Sequence, residues 1–115
     1  MKLNFDTLRK VNMARTIEWT GNSSNDSLLF RATELGGETG EVLNAVKKFT
    51  RQQFGWAGGI NQDESIKAIA EELADVIICV DRVAAYLDIN LNDAVKDKFN
   101  KTSKKYKLTV KIEDE

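Results

Sequence analysis

Apolar residues recur along most of this chain at intervals of three and four, the spacing of amphipathic α-helices. The pattern divides into four helices. The first spans residues 4 to 20, with Phe5, Leu8, Val11, Asn12, Arg15 and Trp19 near one face. Gly21 to Ser27 has the chemistry of a loop, and Asp26 or Ser27 is placed to cap the helix that follows. The second helix is predicted from about Leu28 to about Gln53, with an apolar stripe of Leu28, Leu35, Val42, Val46 and Phe49. Glu38 falls at the edge of that stripe, with Glu34 and Glu41 just beyond it. Phe54 to Asn61 is glycine-rich and reads as a helix-to-helix turn.

The third helix is predicted from Gln62 or Asp63 to about Leu87. Its main stripe is Ile66, Ile69, Leu73, Ile77, Val80, Ala84 and Leu87. A second stripe, Ala68, Val76, Cys79 and Val83, lies roughly 100° away on the wheel and contains Glu72. A helix apolar on two sides is buried on two sides, and a short chain covers little surface by itself. The expectation is therefore an all-α, four-helix bundle-like subunit that assembles into a homo-oligomer. The fourth helix starts near Asn90 or Asn92, with Leu91, Ala94, Val95 and Phe99 inward and several lysines outward. The tail alternates Leu108, Val110 and Ile112 before Glu113-Asp114-Glu115, the pattern of a short extended or frayed segment.

Composition narrows the class. At 115 residues the chain is read as one domain, 1–115. With 42% hydrophobic and 30% charged residues it is expected to be a folded, soluble protein. A net charge of −1 supplies no basic field toward nucleic acid or a membrane surface. No apolar run approaches the length of a membrane span, and Lys2, Asp6, Arg9 and Lys10 interrupt any signal-peptide pattern. The single cysteine, Cys79, excludes an internal disulfide and fits a reducing, cytoplasmic setting. There is no histidine, so neither a histidine base nor a histidine-ligated zinc site is available.

The chemistry resides in two acidic pairs, Glu38 with Glu41 and Glu72 with Asp75. Each pair is spaced i, i+3, which puts both carboxylates on one helical face. The first pair is centred between residues 39 and 40 and the second between 73 and 74, so their midpoint falls inside the Phe54–Asn61 turn. If the two helices fold back antiparallel, the pairs meet at one height. Four facing carboxylates repel, and a hard cation such as Mg²⁺, or Mn²⁺ in its place, suits all-oxygen ligands. Gly36, Gly37 and Gly40 each cost roughly 1 kcal/mol against alanine in a helix interior. They predict close approach by another backbone or a bulky substrate, with a kink as the alternative. A metal clamps phosphate oxygens and activates water, and Lys48, Arg51 and fourth-helix lysines neutralise further phosphate charge. Together these point to hydrolysis of a phosphoanhydride, with a carboxylate as base.

Glu38-x-x-Glu41 followed by Glu72-x-x-Asp75 resembles the signature of the MazG-type nucleoside triphosphate pyrophosphohydrolases. So do Gly37-Glu38-Thr39-Gly40-Glu41-Val42, Val46-Lys47-Lys48, Glu71-Glu72-Leu73-Ala74-Asp75-Val76 and Lys98-Phe99-Asn100-Lys101-Thr102-Ser103. Two positions depart from many relatives: Lys107 follows Tyr106 where proline is common, and Thr102 stands where some have asparagine. The resemblance implies Mg²⁺-dependent cleavage of a (deoxy)nucleoside triphosphate to the monophosphate and pyrophosphate. It implies Glu38, Glu41, Glu72 and Asp75 as metal ligands and catalytic residues, and Lys48, Arg51, Lys98 and Lys101 as phosphate contacts. It also implies a homotetramer whose sites use more than one subunit, and a house-cleaning role with a deoxynucleotide such as dCTP as substrate.

Asn12, Arg15, Trp19 and Trp56 are the candidates for base recognition, the tryptophans by stacking. Core or interface packing is the competing role for Trp19, and a lid is the role that the glycine-rich turn suggests for Trp56. Two other functions fit the same residues. One is a non-enzymatic helical interaction module whose acids are surface charges. The other is a related metal-dependent hydrolase of a phosphoribosyl nucleotide.

Overall fold

The computed structural model describes residues 1–21 and 26–114. Its helices are α1 (Phe5–Thr20), α2 (Leu28–Gln53), α3 (Gln62–Tyr86) and α4 (Leu91–Lys105), and there is no strand among the described residues. Every helix starts on a side-chain cap that satisfies an otherwise orphaned amide. Asn4 Oδ1 accepts from the Thr7 N–H at 2.8 Å, Ser27 Oγ from Phe30 at 3.0 Å, Asn61 Oδ1 from Glu64 at 2.9 Å and Asn90 Oδ1 from Asp93 at 3.2 Å. Ser27 is thus the α2 cap, and Asp26 turns instead to Arg31. The rest of the expected loop, residues 22–25, lies outside the described residues.

α2 and α3 form a long antiparallel hairpin, the main packing unit of the subunit. The turn between them is drawn tightly against the end of α2. The Trp56 N–H donates to the Arg51 carbonyl at 2.8 Å, and Gly55 takes a φ of 69°. At Gly59 a Cβ would lie 2.6 Å from the Gln52 backbone nitrogen, so only glycine fits there.

α1 docks on α3 through a buried polar clamp. Asp81 is 0% exposed. Its carboxylate accepts from Arg9 Nε at 2.9 Å and from Asn12 Nδ2 at 3.0 Å. Arg9 also reaches the Ile89 carbonyl at 2.7 Å, and Asn12 the Ile78 carbonyl at 3.1 Å. A buried carboxylate is tolerable only when paired in this way. The inward side of α1 is therefore Phe5, Leu8, Arg9, Asn12 and Thr16. Val11, Arg15 and Trp19, expected on that side, are exposed.

α4 leans on α1, where Asn92 Nδ2 donates to Asp6 Oδ1 at 2.8 Å, and does not close against α2. The subunit is therefore a hairpin with two attached helices and not a closed four-helix bundle. Its radius of gyration is 17.6 Å, against about 13 Å for a compact chain near this length. Val95 and Phe99, expected inward, remain exposed because α4 has little to lie against. The tail returns along α4, and the Asn100 amide holds it like a neighbouring strand. Asn100 accepts from the Ile112 N–H at 2.8 Å and donates to the Ile112 carbonyl at 2.9 Å. Lys96 pairs with Asp114.

The two stripes of α3, both expected to be buried, are covered unequally. The weaker stripe, with Val76, Cys79, Val83 and Glu72, faces α2 and is buried or half-buried. Ile66, Leu73, Ile77 and Leu87 of the stronger stripe are about half exposed. α2 covers the side that carries the carboxylates; on the more apolar side Ala84 is buried and Ile69 and Val80 are half-buried, while the rest stays open. No helix is long and apolar enough to cross a membrane among the described residues.

The clamp makes a direct stability test. Arg9→Met strands the Asp81 charge, and the unfolding free energy is expected to fall by about 3 kcal/mol. Denaturant titration checks this; an unchanged midpoint would show that the pair contributes nothing to docking α1.

Candidate metal centre

The hairpin aligns the acids of α2 and α3 across its seam. One carboxylate oxygen each from Glu38, Glu72 and Asp75 lies within 4.8 Å of the others. Glu38 and Glu72 are half-buried and Asp75 is exposed. Glu41 lies one turn further along α2, outside this group of three, but close enough for its charge to act on Glu72. Lost solvation, then the charges of Asp75, Glu38 and Glu41 and a hydrogen bond with Glu38, hold the Glu72 carboxyl above its ordinary 4.5. Beside the acids, a Cβ at Gly36, Gly37 or Gly40 would meet nothing within 4 Å. The helix assignment continues through these glycines, from Leu28 to Gln53. No backbone of the same chain approaches them, and the space next to the carboxylates is open.

The polar seam continues toward the start of α2, a feature the sequence reading passed over. Cys79 is buried one turn past Asp75, and its thiol is pushed up by lost solvation and by Glu34 and Glu38. It therefore stays protonated at neutral pH and serves as packing. Next along the seam, Glu34 accepts from Arg31 at 2.8 Å and from Arg82 at 3.2 Å. Arg31 is 2% exposed and also donates to Asp26 at 2.7 Å. Burial opposes the Arg31 charge, but Asp26 and Glu34 outweigh it and hold the guanidinium ionised. The i, i+3 spacing of Arg31 and Glu34 was the available signal. Nothing in the spacing identified Arg82 as the partner across the seam.

The other candidates scatter. Lys48 is exposed two turns beyond Glu41. Arg51 is half-buried under the turn, where its Nη1 would lie 3.3 Å from a Cβ at Gly58. Lys98 and Lys101 are exposed on α4, which packs on α1 and not along the α2–α3 seam. The Asn12 amide is committed to Asp81 and Ile78, so it does not project as a free base reader. Arg15 is exposed, and Trp19 is 74% exposed on α1. Trp56 stacks on Phe54, ring centroids 5.1 Å apart, at the tip of the hairpin. At 1.5 Å per helical residue that tip is about 20 Å from Glu41, too far for Trp56 to share a nucleotide with the acids of its own chain.

The converging oxygens fit a hard divalent cation. Glu72, disfavoured as an anion among its neighbours, is the group that such an ion would relieve. Above its ordinary range, Glu72 binds a proton more readily in the folded chain than in the unfolded one. This group's contribution to metal-free stability therefore falls as pH rises from 4.5 through its raised range. Mg²⁺, which needs the anion, is expected to raise the Tm by about 4 °C or more at saturation. Glu72→Gln is expected to raise the metal-free Tm at pH 7 and to remove the Mg²⁺ increment. Thermal melts with and without Mg²⁺ at two pH values check this, and an equal increment in both proteins would contradict it.

A family model described as the MazG nucleotide pyrophosphohydrolase domain matches residues 26–109. No curated protein and no solved structure gives a significant match. The matched stretch contains α2, α3 and α4 entire, with both acidic pairs and the seam between them. It covers well over half of the chain, which therefore belongs to the MazG nucleotide pyrophosphohydrolase family.

Proposed function

We propose that residues 1–115 form one catalytic domain that hydrolyses a nucleoside triphosphate between its α and β phosphates, with Mg²⁺, to the monophosphate and pyrophosphate. The observation that carries this reading is the convergence of Glu38, Glu72 and Asp75 on one point in a chain of this family. Glu38, Glu72 and Asp75 would hold the ion, with Glu41 completing the ligand set. A divalent ion there would supply the charge neutralisation that a phosphoanhydride needs in order to break. Glu41 is more exposed than Glu38 and Glu72, and lies outside the tight group. We assign it a second role, taking the proton from the attacking water. Lys48 and Arg51 steady the phosphate chain electrostatically.

Lys98 and Lys101 reach that chain only from a second copy, since α4 does not approach the seam of its own subunit. The half-exposed side of α3 and the groove of Leu3, Phe5, Leu8 and Ile77 favour such an assembly, for which we take a homotetramer. Preference for a deoxynucleotide, with dCTP first, a house-cleaning role and a cytoplasmic location rest on the family resemblance. A phosphoribosyl nucleotide is the related alternative substrate, to be tested beside the common triphosphates.

The direct assay offers the purified protein Mg²⁺ and the eight common nucleoside triphosphates, with pyrophosphate and phosphate measured separately. Pyrophosphate release is expected. Glu38→Gln is expected to lower it by roughly 100-fold or more, and Glu41→Gln to shift the acid limb of the pH–rate profile. Release of phosphate instead, or an inert protein, would overturn the reading. Sedimentation velocity is expected to show a species near four times the 12.9 kDa chain, and a monomer at micromolar concentration would remove the second copy from the site.

A further inference from the structure

Two groups of charged side chains share the α2–α3 seam, and they differ in balance. The carboxylates of Glu38, Glu72 and Asp75 are all of one sign. The group toward the start of α2 is neutral: Asp26 and Glu34 both pair with Arg31, and Glu34 pairs with Arg82 as well. Two carboxylates there meet two guanidiniums. Cys79 lies between the groups, four residues after Asp75 and three before Arg82. Its buried thiol is raised by lost solvation first, and then feels Glu34, Glu38, Arg82 and Asp75 together. The two groups are therefore within electrostatic reach of one another.

Glu34 joins the two guanidiniums. Its Oε1 accepts from Arg31 Nη1 at 2.8 Å and its Oε2 from Arg82 Nη1 at 3.2 Å. Losing Glu34 would not affect the two arginines alike. Arg31 would keep Asp26, 2.7 Å from its Nε. Arg82 has Glu34 as its one ion-pair partner among the described residues, and its Nε is buried with no partner at all. A guanidinium on a side chain 12% exposed is stranded when its carboxylate is removed. The next acid of α2 at the seam is Glu38, four residues on, or about 6 Å along the axis. An unbalanced Arg82 would repel a cation at Glu38 or take the Glu38 carboxylate for itself.

We propose that Glu34 is a positioning residue of the metal centre: by holding Arg82 neutralised one turn away, it leaves Glu38 free to receive a divalent cation. The proposal rests on the metal-dependent reading above and adds a residue outside the two acidic pairs. Glu34 acts through Arg82 and touches neither ion nor substrate. A bridge that only fastened the hairpin would serve as well with Arg82 paired to Glu38. Instead the guanidinium is kept on the far side of Cys79, and the negative charge at Glu38, Glu72 and Asp75 is left unspent.

The test is Mn²⁺ binding to the nucleotide-free protein, read from the electron paramagnetic resonance of the free ion. The native chain is compared with Glu34→Gln, Arg82→Gln and the double variant. Glu34→Gln leaves a positive charge unbalanced and is expected to weaken Mn²⁺ about tenfold, less at high salt. Arg82→Gln leaves a negative charge and is expected to tighten it about threefold. The double variant is neutral again and is expected to return to within about twofold of the native affinity. Equal affinity in the native chain and Glu34→Gln, or a double variant as weak as Glu34→Gln, would overturn the proposal. Should Glu34→Gln not fold, Arg82→Gln decides alone: tighter binding supports the proposal, and unchanged or weaker binding overturns it. A native chain that binds no Mn²⁺ overturns the metal-dependent reading together with the proposal, whereas native binding that responds to neither substitution overturns the proposal alone.

Discussion

The structure depends on a repulsion. Three carboxylate oxygens from two facing helices lie within 4.8 Å of one another, and a fourth carboxylate adds its charge from one turn away. Nothing basic is interposed among them. The nearest arginine along the seam, Arg82, is engaged with Glu34. A fold that only needed to be stable would bury aliphatic side chains here. Instead the hairpin turn, with Gly59 fitted against Gln52, holds the acids in register. Such an arrangement is economical only when the charge is shared with a cation, which is the physical sense of the family's divalent-metal dependence.

The same seam explains why the subunit is left incomplete. α2 is spent covering the acid-bearing side of α3, and α1 is attached through the Arg9–Asp81–Asn12 clamp. Ile66, Leu73, Ile77 and Leu87 of the strongest apolar stripe of α3, and most of α4, then find little cover within the chain. Polar groups, rather than a continuous apolar core, fix how the helices meet. Among the described residues, Cys79 and Ala84 are the buried apolar side chains, whereas Asp81, Arg31, Ser65, Asn12 and Ser103 are buried among the polar and charged ones.

Much of this was legible in the sequence. The periodicity placed α2 at its observed limits, Leu28 and Gln53, and the midpoint of the two acidic pairs located the turn. The i, i+3 spacing brought Glu38, Glu72 and Asp75 together because helix geometry and hairpin topology alone determine it. What failed depended on the third dimension. The wheel gave α3 two apolar sides and both were expected to be buried, but Ile66, Leu73, Ile77 and Leu87 of the main stripe stay about half exposed. Asn12 looked like a free polar reader because its partner, Asp81, is 69 residues away. Arg31 and Arg82 carried no motif, although both meet Glu34 at the seam. Lys98 and Lys101 belong to recognisable blocks, but α4 packs on α1 and does not bring them to the α2–α3 seam.

Diffraction from crystals grown with Mn²⁺, measured for anomalous signal, tests the central claim most directly. An anomalous peak bounded by Glu38, Glu72 and Asp75, with their oxygens at bonding distance, is the result that the charge arrangement requires. The same carboxylates turned apart into solvent, with no peak between them at saturating Mn²⁺, would contradict it.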